Sequence, residues 1–202
     1  MSDEFRHAAL TYLRSALGEA APREVELAGC HDEQALEGEG PMAVFAFTAD
    51  VGGAAEQRYW VIAGATEPNY YPDWGLSADE IYGVHLGTRF MLVMGVGRVE
   101  AGQVPGDAAE RVTAFIADVA PGEPVEFLDA DGAAAKRREP VVCFRCEDKL
   151  HGVFRVRIGQ EDVYVLGLDC PPGVYRDVHL PPHVVYRRHL GALIRREVDR
   201  FE

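Results

Sequence analysis

The chain opens on helical spacing. Phe5, Ala9, Leu10, Leu13 and Leu17 share one face of a predicted amphipathic helix over about Asp3 to Leu17. A short strand is expected around Val25 to Cys30, then the polar, glycine-containing loop HDEQALEGEGP. MAVFAFTAD and QRYWVIAGA flank VGGAAE and predict a hairpin. TEPNYYPDWGL, with two prolines and a glycine, reads as an ordered loop. Ser77 and Glu80 have capping-box spacing, so a helix is expected to start there and run to about Met94.

From Gly97 the pattern begins again. GDAAERVTAFIADV predicts a helix, PVEFLDA and EPVVCFRCED strands, and GVFRVRIGQEDVYVLGL a hairpin turning at Gly159-Gln160. DCPPGVYRDVHLPP is a proline-rich connector, and HVVYRRHLGALIRREVDRF is the last predicted helix. Sliding the chain by 104 residues pairs Pro68, Tyr71, Asp73, Leu76, Tyr82, His85, Leu86 and Gly87 with identical residues at Pro172, Tyr175, Asp177, Leu180, Tyr186, His189, Leu190 and Gly191. Eight identities in the 20 positions from Pro68 to Gly87, rare residue types among them, point to an internal repeat. Upstream, an offset of 100 pairs Ala8, Ala9, Val25 and Glu26 with Ala108, Ala109, Val125 and Glu126.

The expected fold class is therefore α+β: two tandem α-β-β-β-α units, residues 1–98 and 99–202, each an antiparallel sheet flanked by helices. Gly97 to Gly106 would be the linker. It is too short to let the copies drift apart, so a pseudo-twofold dimer-like packing is expected.

The signature residues are the candidate site. Tyr82, His85, Leu86 and Arg89 share a helical face that Tyr186, His189, Leu190 and Leu193 repeat. A buried imidazole or phenol needs a polar partner, and Asp73 and Asp177 are the natural acceptors in the connectors. The same groups read functionally as a Tyr/Asp/His cluster, with Asp orienting His as a base. Its presence in both copies favours a folding constraint, which duplication preserves automatically, over two active sites. Tyr70, Tyr71 and Trp74 in YYPDW either close the core or form a protein-binding patch.

Gly87 and Gly191 fall mid-helix, where glycine costs about 1 kcal/mol relative to alanine. Both copies keep that cost, so these positions are expected to touch a neighbouring helix that a Cβ would push away.

Metal ligation has weak candidates in Cys143, Cys146, Cys170 and His179, with His183 further on. Zinc needs convergent ligands, usually from a CxxC on a turn. VVCFRCE lacks glycine and alternates like a strand, which sends Cys143 and Cys146 to opposite faces. No metal and no cofactor is expected. The phosphate-loop, nucleophile-elbow and HExxH motifs are absent.

Composition refines the picture. The chain is 48% hydrophobic and carries 20 basic against 33 acidic residues, a net charge of −13. That field disfavours nucleic acid and favours a basic protein partner. Arg187, Arg188, Arg195, Arg196 and Arg200 crowd one segment, diluted by Glu197, Asp199 and Glu202. With no secretory signal, no membrane-length apolar run and only four cysteines, a reduced cytoplasmic protein is expected. The oligomeric state is open.

These readings give a non-enzymatic interaction module as the expected function: an adaptor, chaperone-like or immunity-like protein. In architecture alone the predicted unit resembles secretion-chaperone-like domains, which are also acidic, and architecture does not fix function. The alternative is a small-molecule-binding protein or enzyme that uses the Tyr/Asp/His cluster in a cleft between the repeats.

Overall fold

The computed structural model describes residues 2–32, 40–53, 55–100 and 103–198. It is a mixed α+β structure with four α-helices and two antiparallel sheets. The helices are α1 (Ser2–Leu17), α2 (Ala78–Val93), α3 (Ala108–Val119) and α4 (Pro182–Val198). The strands are β1 (Glu26–His31), β2 (Met42–Ala49), β3 (Gln57–Gly64), β4 (Asn69–Pro72) and β5 (Gly97–Val99), then β6 (Val125–Leu128), β7 (Val142–Cys146), β8 (Lys149–Ile158), β9 (Glu161–Leu168) and β10 (Gly173–Tyr175). Most of the expected polar loop after β1, residues 33–39, lies outside the described residues.

Contacts divide the chain into two compact units: residues 1–87 with 190–202, and residues 88–189. The division falls inside α2 and inside α4. In the first unit the strand order is β1-β2-β3-β4. The hairpin predicted from the two runs flanking VGGAAE runs from Met42↔Gly64 to Ala49↔Gln57 without a break. Helix α1 lays its apolar stripe on this sheet, with Ala9 and Leu13 fully buried against Phe45, Phe47 and Val61. The capping box at the start of α2 forms in both directions. The Ser77 N–H donates to Glu80 Oε2 at 2.8 Å, and the Glu80 N–H donates to Ser77 Oγ at 3.3 Å.

In the second unit the order is β10-β9-β8-β7-β5, and β6 also pairs with β8. One edge of β8 thus serves two partners: β7 along Lys149–Val153 and β6 along Arg155–Ile158. The β8–β9 hairpin turns at Gly159-Gln160 as the sequence predicts, with Gly159 at φ +61°. Helix α3 packs Val112 and Ile116 against Phe127, Phe154, Val156 and Val165.

Three short strands depart from the predicted three-stranded units. The stretch TEPNYYPDWGL contains β4, which pairs with β3 as Trp60↔Tyr71 and Ile62↔Asn69. The connector DCPPGVYRDVHLPP contains β10, which pairs with β9 as Tyr164↔Tyr175 and Leu166↔Gly173. The expected linker contains β5, paired with β7 as Arg98↔Phe144. All three are edge strands, where neighbouring prolines cost no ladder bond.

Candidate functional site

In the first unit, strand alternation on β4 splits the two adjacent tyrosines. Tyr70 turns to the α1 side and meets the rings of Tyr12 and Tyr59 at 6.4 and 6.2 Å. Tyr71 is buried on the opposite side, with its hydroxyl 3.0 Å from His85 Nδ1. Asn69 Nδ2 donates to the same hydroxyl oxygen at 3.2 Å. Tyr12 extends the chain of bonds by donating to Asn69 Oδ1 at 3.4 Å. One turn before His85, Tyr82 is fully buried and stacks on His31, with 3.8 Å between centroids and 9° between planes.

The second unit makes the same tyrosine–histidine bond. Tyr175 and His189 Nδ1 are 2.9 Å apart, and His189 Nε2 donates to the Pro171 carbonyl at 2.9 Å. Tyr186 is fully buried and stacks on Phe144 at 4.2 Å and 7°, and its hydroxyl lies 2.8 Å from His151 Nδ1.

The expected acceptors do other work. Asp73 closes a turn: its Oδ1 accepts the Gly75 N–H at 2.9 Å and Trp60 Nε1 at 3.4 Å, and Arg58 lies 3.9 Å from its Oδ2. Asp177 pairs with Arg188, whose guanidinium also covers the Tyr175 ring at 5.6 Å. Each signature histidine is therefore oriented by a tyrosine from the edge strand, not by an aspartate. Trp74 is half-buried, its ring 6.2 Å from that of Tyr71, so YYPDW is divided between core and edge instead of forming one aromatic patch.

His85 and His189 are 1% and 3% exposed. Five surface hollows of the molecule are lined by other residues. A general base needs reach to a substrate proton, and in this structure both imidazoles are closed off from solvent. Burial also pushes the Tyr186 phenol up and the Cys143 and Cys146 thiols up, and it takes Cys170 to about 12. Thiols held protonated are poor nucleophiles and poor zinc ligands. Cys143 lies with Val99 and Leu150, whereas the next residue, Phe144, turns toward Tyr186. His179 is exposed in the connector. Among the described residues no three His, Cys, Asp or Glu side chains are placed to hold a metal.

Sequence reasoning missed the ring partners His31, Phe144 and His151, because they come from strands distant in sequence and carry no motif. It also left unseen the exposed end of α2. There Leu92 and Val93 are 70% and 74% exposed, and Met94 follows them into solvent.

Compared with protein-family models, curated proteins and solved structures, the chain matches none.

His151 makes a pH prediction. Burial lowers its pKa below 6.5, Asp169 opposes that shift, and Lys149 adds to it. Between the folded value and 6.5 the unfolded chain binds more protons, so stability falls as pH drops through this window and is full above it. Urea midpoints between pH 7.5 and 5 are expected to fall less steeply for His151→Gln than for the unsubstituted protein. Parallel curves would show that His151 does not carry the effect.

Proposed function

We propose that the protein is a non-catalytic interaction module, internally duplicated as residues 1–98 and 99–202, that binds a protein partner through exposed apolar surface. The observation that carries this reading is the run Leu92-Val93-Met94 at the end of α2. Three consecutive large apolar side chains face water there. A lone exposed apolar residue is ordinary, whereas a contiguous group is a contact surface in search of a partner. The net charge of −13 favours a basic partner at encounter.

Support for duplication comes from register. The pairs Trp60↔Tyr71 and Tyr164↔Tyr175 coincide at an offset of 104, as do Ile62↔Asn69 and Leu166↔Gly173. The two Tyr–His bonds repeat at the same offset. The alternative reading, an enzyme or small-molecule binder built on the Tyr/Asp/His cluster, needs an open histidine and a convergent acid. Both histidines are buried in phenol bonds, and both aspartates are committed to other groups. No helix among the described residues is long and apolar enough to cross a membrane.

The double substitution Leu92→Asp with Val93→Asp tests the interaction surface. Both side chains are exposed, so the thermal midpoint is expected to stay within about 4 °C, in line with roughly ±0.5 kcal/mol or less for each of the two surface substitutions. Quantitative capture from the native host is expected to lose at least one protein that the unsubstituted chain enriches. A control charge change at exposed Glu19 should retain it. Identical capture by all three proteins would overturn this surface as the binding site.

A further inference from the structure

Arg98, His183 and Arg187 of the second unit gather on one face with no counter-ion among the described residues. The register of β5 on β7 sets Arg98 beside Phe144, and cross-strand neighbours project to the same face. Helix α4 covers that face, since Tyr186 stacks on Phe144. His183 lies three residues before Tyr186 and Arg187 immediately after it, so the two are neighbours one turn apart on the helix. Arg98 and His183 are exposed and Arg187 is half-buried. Among the described residues no carboxylate pairs with any of the three, and Arg187 Nε is buried without an acceptor. The next residue, Arg188, is by contrast matched to Asp177. The charges that bear on His183 are the two guanidiniums; burial first, then Arg187 and Arg98, push its pKa down.

Such an arrangement is costly to a fold, and the positions 104 residues earlier do without it. At an offset of 104, His183 corresponds to Asp79 and Arg187 to Gly83. Asp79 holds Arg195 in a two-oxygen ion pair at 2.9 and 3.0 Å, so the first half spends that position on structure. The three basic groups belong to the second half alone. In a chain of net charge −13, an uncompensated basic island is also a surface that admits an anion.

We infer that Arg98, His183 and Arg187 form an oxyanion site that takes a dianionic group of the phosphate class. Two guanidinium forks match tetrahedral phosphate oxygens, and a dianion balances their two charges where a carboxylate would balance one. The imidazole supplies a third donor and gains a proton as the anion arrives. The group comes either as free phosphate or as a phosphate ester. The site is separate from Leu92-Val93-Met94, so either proposal can fail while the other stands.

The test is a titration followed by the NMR signals of the His183 ring at constant chloride-adjusted ionic strength. Inorganic phosphate, a blocked phosphoserine and acetate are the three probes. Both or either of the phosphates should shift the ring saturably and raise its pKa, with acetate at least about tenfold weaker. The tighter of the two phosphates identifies the source. Arg187→Gln should weaken the response by about tenfold or more while the thermal midpoint stays equal or rises, because an unpaired charge has been removed. Arg98→Gln, at an exposed position, is the second variant and should weaken it similarly. A ring that does not respond saturably to either phosphate, an equal response to acetate, or a response unchanged in both variants overturns the site.

Discussion

Alanine at Gly191 is expected to destabilise the protein by about 3 kcal/mol or more, against the helix-propensity gain of about 1 kcal/mol that alanine ordinarily brings. A Cβ on Gly191 would press into the Gly83 carbonyl oxygen, 2.6 Å from its carbonyl carbon and 2.8 Å from its Cα. Those atoms are helical backbone, and backbone cannot swing aside as a side-chain end can. Relief requires α4 to lift away from α2 within the first unit. The lift would also part Arg195 from Asp79 and from the Tyr82 ring, over which its guanidinium lies at 5.9 Å. The exposed ion pair contributes little, so the clash itself dominates. Gly83 supplies the control. A Cβ there meets nothing within 4 Å, so Gly83→Ala is expected to be neutral or to gain up to about 1 kcal/mol. Urea unfolding of the two variants measures both; equal or higher stability for Gly191→Ala would remove backbone contact as the reason for the glycine.

The second large effect lies at Tyr186. Tyr186→Ala is expected to cost about 3–5 kcal/mol, the range for deleting a fully buried aromatic ring. It would leave Phe144 without its stacked partner and His151 Nδ1 without its hydroxyl partner. Tyr186→Phe keeps the stack and removes only the hydroxyl, so it should cost about 1–2 kcal/mol. The gap between the two variants separates packing from hydrogen bonding. A phenylalanine variant as unstable as the alanine one would mean that the His151 bond, and not the ring, holds α4 to its sheet.

The parts of the fold that follow from periodicity were legible in the sequence. Ala9 and Leu13 at helical spacing, the two runs flanking VGGAAE and the Ser77–Glu80 capping box all act locally, and the structure realises each. The strands β4, β5 and β10 were not legible. Each is three or four residues long, and its order comes from a neighbouring strand instead of its own residue types. The candidate site was legible as residues and illegible as bonds. Tyr71, Tyr175, His85 and His189 stand out by repetition, but chemistry alone made Asp73 the better acceptor. A turn then captured that aspartate through the Gly75 amide two residues on. The basic island depends on β5 pairing with β7, which places Arg98 beside residues 85 and more positions away in the chain, beyond the reach of any local pattern.

The division of the chain inside α2 and α4 bears on how the protein is made. The first unit is completed by the segment from Leu190 onward, about a hundred residues after Gly87. At roughly 5–20 residues per second, the ribosome takes about 5–20 s to supply it. Until then Gly83 has no helix across from it, and Tyr82 lacks the cover of Arg195. The N-terminal sheet can form early, yet its helix waits, with an apolar face open, for the last helix of the chain. That interval is when the nascent protein is most exposed to misassembly, and a chain stopped short of α4 would remain in it.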